Sequence, residues 1–306
     1  MSAASALPVA RPLVGVLMVV CATLTFAVAD TLTKHLAGLY PVPVIMALRY
    51  FVNVVLLAAI WRGDLPKLWR VNRLWLVLLR GLCLAAASLT VGLALKLMPV
   101  GETIAIIYLA PFAVMLLAGP VLGERVSLIG WIGSSFGFLG VLLIARPGGN
   151  LDPTGVVLAL INAALSTAYH LMTRLLARTE TTVAMLFHTA WVGAVIFAVL
   201  ALPELPTFAP TLTDLGLMVL LGVLMTLAHF LFTGAYREAP ASLLAPVNYV
   251  HLLWAGTLGW LVFGHLPDAL SLVGMVLIAL AGAGIAVHTH LATSRRVVEE
   301  LPPAAV

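Results

Sequence analysis

Stretches of about twenty residues with almost no charge follow one another along nearly the whole chain, and short polar turns separate them. That spacing constrains the fold more than any other feature. A helical apolar run of about 20 residues matches a hydrocarbon core about 30 Å thick. Ten such runs occur, over roughly 12–36, 42–61, 74–96, 101–119, 126–145, 153–176, 182–202, 212–236, 243–263 and 269–290. In lipid the backbone N–H and C=O groups have no water to bond, so each run must be a helix. A transmembrane barrel needs alternating polar and apolar residues, and these runs are continuously apolar. Only 9% of the residues are charged, against about 25% in a soluble domain. The sequence therefore predicts an all-α polytopic membrane protein with ten transmembrane helices. The turns carry the expected breakers: Tyr40-Pro41, Asp64-Leu65-Pro66, Pro147-Gly148-Gly149-Asn150, Glu204-Leu205-Pro206 and Leu266-Pro267-Asp268.

The net charge of +4 is not a nucleic-acid signal, because the basic residues fall in turns and not along one face. With the N-terminus inside, eleven Lys and Arg residues lie in inner segments (Arg11, Arg62, Lys67, Arg70, Arg73, Arg125, Arg174, Arg178, Arg237, Arg295, Arg296) and three in outer turns (Lys34, Lys96, Arg146). This positive-inside bias places both termini in the cytoplasm and the protein in the cell inner membrane. Cys21 and Cys83 both lie in apolar runs and read as buried thiols, not as a disulfide framework. Trp61, Trp69, Trp75, Trp260 and Tyr40 sit near run ends, where interfacial aromatics belong.

The chain also repeats itself. Shifted by 141 positions, Ala94 falls on Ala235, Lys96 on Arg237, Pro99 on Pro240, Tyr108 on Tyr249 and Gly123 on Gly264. Earlier in each half the shift is 140, which pairs Gly15-Val16 with Gly155-Val156, Thr33 with Thr173 and Lys34 with Arg174. Residues 11–30 have the outline of a secretory signal with Ala27-Val28-Ala29 before Asp30, but a segment copied in the second half reads as a structural helix. The expected units are residues 12–146, residues 153–290 and a polar cytoplasmic tail, 291–306. Five runs per half is an odd number, so the second copy enters the membrane upside down. Such inverted repeats place a solute site between the halves near mid-depth.

Ala239-Pro240-Ala241-Ser242, Pro246, Tyr249 and Phe263-Gly264, with Tyr108-Leu109-Ala110-Pro111 and Gly123-Glu124-Arg125 in the first half, resemble EamA-type proteins of the drug/metabolite transporter superfamily. The resemblance covers about 280 residues. It implies a ten-helix inverted-repeat carrier of small organic solutes. The family commonly has Gly-Glu at both half-ends, whereas here the second is Gly264-His265.

Ionisable groups inside a membrane are costly and mark function by default. Asp30 is the one carboxylate deep within a run, and Arg49 lies at similar depth on the next helix. An Asp30–Arg49 ion pair is expected, as a structural pair, an outer gate or a solute-carboxylate site. Their counterparts in the repeat are His170 and, after a one-residue slip, His188, expected as a second pair near the inner face, with protons as candidate coupling ions. The bland reading is two neutral histidines bonded to backbone, Thr167 or Thr189. Asn248, His251 and Ala255 share one helix face, flanked by Tyr249 and Trp254, after the donor-less Pro246. With Tyr108, Ser88, its mate His229, and Tyr169, these residues are the candidate solute-binding set. Asn53 and Asn162 read as interhelical contacts. Gly130, Gly133, Gly137 and Gly140, mirrored by Gly274, Ala281 and Gly284, form a small-residue seam for scaffold packing or a homodimer through the fifth and tenth helices.

No metal or cofactor is called for. The histidines lack ligand spacing, no P-loop is present, and Gly133-Ser134-Ser135-Phe136-Gly137 matches a nucleophile elbow only in letters, since it lies mid-helix. The expected function is secondary transport of a small organic metabolite, such as an amino acid or a vitamin like riboflavin, by alternating access. The alternatives are an intramembrane enzyme, which would need a second deep Asp or a histidine beside Ser135, and a channel, which would need a charged ring or carbonyl filter.

Overall fold

A computed structural model describes residues 12–122, 128–145, 150–176, 179–238 and 247–299. Among these, every long element is an α-helix: α1 (Pro12–Ala37), α2 (Val42–Ile60), α3 (Leu74–Leu97), α4 (Val100–Ile107), α5 (Leu109–Leu122), α6 (Leu128–Ala145), α7 (Pro153–Leu176), α8 (Thr182–Ala201), α9 (Leu212–Glu238), α10 (Val250–Phe263) and α11 (Ala269–Glu299). Short helical turns fill Arg62–Asp64, Pro66–Trp69 and Leu202–Thr207. Six helices are long and apolar enough to cross a membrane, and shorter apolar helices accompany them. The protein is a multi-pass membrane protein. Pro246, Gly123-Glu124-Arg125, Arg146, Arg178 and Ala239–Ser242 lie outside the described residues.

The fourth predicted run is not one helix. It breaks at Tyr108, three residues before Pro111, which has no N–H to bond the carbonyl of Ile107. The ninth run shows a similar irregularity at Tyr249, the repeat mate of Tyr108. There Asn248 and Tyr249 form a turn whose carbonyls accept from His251 N (2.9 Å) and Leu252 N (3.0 Å) before α10 begins. The last helix differs from expectation in the other direction and continues to Glu299, nine residues into the expected tail.

Helix packing comes in mates. The most extensive contacts join α3 to α7 and α1 to α9, α6 to α11, and α2 to α8. Exchanging each helix for its repeat counterpart turns the first pair into the second and leaves the last two unchanged. The detail repeats as well. A Cβ on Gly81 of α3 would lie 3.1 Å from Val192 Cβ of α8, and one on Gly222 of α9 would lie 2.6 Å from Val52 Cβ of α2. Gly81 and Gly222 are mates, and so are Val52 and Val192. The helices of a mated pair run in opposite directions. The end of α1 meets the end of α3, through Lys34 Nζ on Leu95 O (2.9 Å) and Met98 O (2.7 Å). The start of α7 meets that same end, through Gly155 against Met98.

Two loop contacts close opposite ends of the bundle. At one, Tyr40 Oη donates to Asp214 Oδ2 (2.7 Å). That carboxylate, as hydrogen-bond acceptor, holds the Tyr40 phenol above its usual range. At the other, Glu180 accepts from Asn72 N (2.8 Å) and Arg73 N (3.0 Å), while Asn72 Nδ2 donates to Thr179 O (2.7 Å). Tyr40 and Glu180 are repeat mates.

The glycine seam is used inside the chain. A Cβ on Gly140 would lie 2.6 Å from Gly274 O, and the reverse distance is the same, so α6 and α11 touch backbone to backbone. Gly137 lies under the Phe112 ring of α5. Of the expected buried thiols, Cys21 is exposed on the outer face of α1, among Leu17, Leu24 and Val28. Exposed leucines, valines and aromatics continue around the bundle, far beyond the apolar patches of a soluble monomer.

Candidate functional site

The break at Tyr108 and the turn at Asn248-Tyr249 bring the two tyrosine rings to 5.4 Å, with Phe112 packed 5.7 Å from Tyr249. Tyr108 Oη donates to the carbonyl of Asn248 (2.8 Å) and stands 3.2 Å from His251 Nδ1. His251 Nε2 lies 3.2 Å from Asp30 Oδ2, too oblique for a hydrogen bond, so the contact is electrostatic. Asn248 Oδ1 and Trp254 Nε1 are buried without a partner among the described residues. Tyr108, Asn248, Tyr249, His251 and Asp30 therefore form one polar cluster where α1, α4, α5 and α10 meet.

Hydrogen accounting fixes a proton in this cluster. A carbonyl only accepts, so the single Tyr108 hydroxyl hydrogen points to Asn248 O. His251 Nδ1 must then carry the hydrogen it shares with Tyr108. That turns Nε2 toward the Asp30 carboxylate.

The expected Asp30–Arg49 pair does not form. The two residues share a depth, but Asp30 faces α10 while Arg49 faces α3, and rotation about the helix axis is not given by counting residues. Arg49 is 2% exposed. Its Nη2 donates to Ser88 Oγ (2.8 Å), which also bonds Tyr50 Oη (2.7 Å), and its Nε is buried without a partner among the described residues. Arg49, Tyr50, Asn53, Thr189, Thr226 and His229 line a small cavity between α2, α3, α8 and α9. The Phe26 ring joins the two polar groups, meeting His229 edge-on at 5.0 Å and lying 6.2 Å from His251.

Nor do His170 and His188 form a pair in the described contacts. His170 packs against Tyr169 (5.4 Å) and Phe232 (6.2 Å). His188 Nδ1 is 2.9 Å from Ala184 O of its own helix, with Trp69 against its ring. Tyr169 accepts from Arg80 Nη2 (2.7 Å), and Arg80 also donates to Thr173 Oγ1 (2.7 Å), Thr189 Oγ1 (2.7 Å) and Met185 O (3.2 Å). Arg80, fully buried, was visible as a charge within a run but was not selected as a candidate. Glu102 was passed over too. It stands one residue inside the fourth run, is 2% exposed, and meets His265 Nε2 at 3.0 Å, with Lys34 beside it. The Gly101-Glu102 opening of that run was the available signal. The asparagines are interhelical contacts, Asn162 donating to Ala87 O (2.6 Å) and Asn53 meeting Thr226 on α9 (2.8 Å). Among the described residues no cluster of potential ligands would hold a metal ion.

The model of the EamA-like transporter family matches residues 13–146 and again residues 153–287. The chain belongs to the EamA-like transporter family. Among relatives of this EamA-like protein is the pseudopaline exporter CntI of Pseudomonas aeruginosa, 26% identical over 87% of this chain and 94% of that protein. A riboflavin transporter of Rhizobium johnstonii is 29% identical over 89% of this chain and 90% of its own length. An S-adenosylmethionine uptake transporter of Rickettsia bellii is 26% identical, covering 88% of this chain and 91% of its own length. One crystal structure covers 94% of this chain and 98% of its own with a TM-score of 0.67 and 21% identity, a likeness of fold alone. These names are those of transporters of small metabolites, in both directions, and none is an enzyme.

Proposed function

We propose that this EamA-like protein is a secondary carrier of a small organic metabolite, working by alternating access across the cell inner membrane. In this reading the chain crosses the membrane ten times as two inverted five-helix repeats, with both termini in the cytoplasm. The mated packing and the opposite directions of α1 and α7 support the repeat, and the excess of Lys and Arg at one end supports the orientation. The observation that carries the function is the convergence of the helix break at Tyr108 with the turn at Asn248-Tyr249. They set Tyr108, Asn248 and His251 together in the interior, with polar atoms left unsatisfied. Buried polar groups without partners cost about 1–3 kcal/mol each. A scaffold that only needed to pack would not keep them, and a solute can satisfy them.

In this reading the coupling ion is a proton taken up and released at the Asp30–His251 contact. It leaves or arrives as the cluster is exposed to one side and then the other. The test is uptake by proteoliposomes of labelled riboflavin, S-adenosylmethionine and a mixture of amino acids, with and without a pH gradient. Saturable flux of at least one is expected, with gradient dependence lost in Asp30→Asn and His251→Ala. Saturable flux that ignores the gradient in wild type would remove the proton role. Absence of saturable flux in folded protein would remove the carrier.

A further inference from the structure

Arg80 and Arg49 are two buried guanidinium groups with very different surroundings. Arg80 donates from all three of its nitrogens, to two threonine hydroxyls, a tyrosine and a carbonyl. Arg49 has one described side-chain acceptor, the neutral Ser88 hydroxyl, and its Nε–H has none. Among the described residues neither arginine meets a carboxylate, because Asp30 is paired with His251 and Glu102 with His265. An uncompensated cation inside a membrane is expensive. Arg80 offsets that cost with hydrogen bonds and does not border the cavity. Arg49 borders it, with the centre of the Tyr50 ring 4.4 Å from its guanidinium carbon, no carboxylate among its described partners and its Nε–H unspent.

We propose that Arg49 is the docking point for a carboxylate on the transported solute; this rests on the carrier reading above. Three features select that chemistry. The guanidinium fork accepts a planar carboxylate in two parallel bonds. Among the described residues, Arg49 is the one arginine, lysine or carboxylate in the lining: Tyr50, Asn53, Thr189, Thr226 and His229 offer hydrogen-bonding groups and the remaining residues, among them Leu57, Leu84 and Met225, are apolar, which suits one negative charge on an otherwise apolar solute. A phosphate would bring nearly two charges, and the second buried arginine is already occupied. The cavity lies among α2, α3, α8 and α9, which are two mated pairs, so a solute there touches both halves at once.

The test uses the purified full-length protein and matched probes: sodium acetate, sodium benzoate and L-glutamate, each beside acetamide, benzamide and L-glutamine. Thermal unfolding is followed against probe concentration, since a ligand of the folded state raises its stability by mass action. At least one carboxylate should stabilise the wild type at a tenfold or more lower concentration than its amide. Arg49→Gln should erase that difference. Arg49→Lys, which keeps the charge and loses the Nε–H, should leave it partial and serves if the glutamine variant does not fold. Carboxylates that act no better than their amides, or act equally on both variants, overturn the assignment. Amides that bind as well as acids would overturn the carboxylate site and leave the carrier reading standing.

Discussion

Glu180 lies in the loop between α7 and α8, yet it caps the start of α3. Its carboxylate takes the N–H groups of Asn72 (2.8 Å) and Arg73 (3.0 Å), donors that no turn of α3 can satisfy. Hydrogen bonds to a charged group contribute about 1.5–3 kcal/mol each. Asn72 and Arg73 are themselves exposed, so water replaces the lost acceptor and the low end applies. Glu180→Ala should therefore lower the local opening free energy by about 2–3 kcal/mol in total. Because 1.4 kcal/mol is a factor of ten, these two amides should exchange with deuterium roughly 30 to 150 times faster. Glu180→Gln keeps an acceptor and loses the charge, so its acceleration should be about tenfold or less. Peptide-resolved exchange mass spectrometry over residues 68–76 reads this directly, with residues 208–216 at the Tyr40 end as internal control. Unchanged exchange at Asn72 and Arg73 would refute the cap. An equal rise at both ends would mean global loosening and would refute the locality of the effect.

Three further outcomes follow from the packing. Tyr40→Phe removes the bond to Asp214 and should speed exchange at the start of α9 while leaving residues 72–73 as they were. Gly140→Ala puts a methyl 2.6 Å from a backbone oxygen of α11 and should cost about 1–3 kcal/mol of stability, whereas Gly284→Ala enters open space and should stay within about 0.5 kcal/mol. Arg80→Met loses four described bonds and Arg49→Met loses one, so the thermal midpoint should fall further for Arg80→Met; the reverse order would contradict the division of roles drawn between them.

Helix positions and the duplication were legible because both are written along one dimension. Apolar run length is a direct reading of bilayer thickness, and a fixed shift of 140–141 residues survives any folding. Which side chains meet depends on rotation about each helix axis, and in an all-round apolar helix the sequence carries little phase information. That is why Asp30 and Arg49 were matched by depth yet point to different neighbours. Tyr108, Asn248 and His251 were found together because three local signals coincided there: a break, polarity and the repeat. Glu102 stands at a predicted run end, where counting residues does not say whether a carboxylate is buried, and its 2% exposure comes from packing between helices.

The repeat mates divide into two kinds. Gly81 and Gly222, Val52 and Val192, and Tyr108 and Tyr249 are the same residue in both halves, and each pair packs or breaks a helix. Asp30 and His170, Ser88 and His229, and Tyr40 and Glu180 differ, and at least one member of each pair makes a polar or ionic contact. Identical packing residues let the two halves exchange environments at little difference in energy. In the proposed carrier, unlike polar residues at the same positions would make the two environments bind a proton or an anion unequally. A ligand shifts an equilibrium only by its difference in affinity for the two states. In the proposed carrier, the duplicated scaffold would supply states of similar energy, and the unlike polar mates the difference on which a ligand acts.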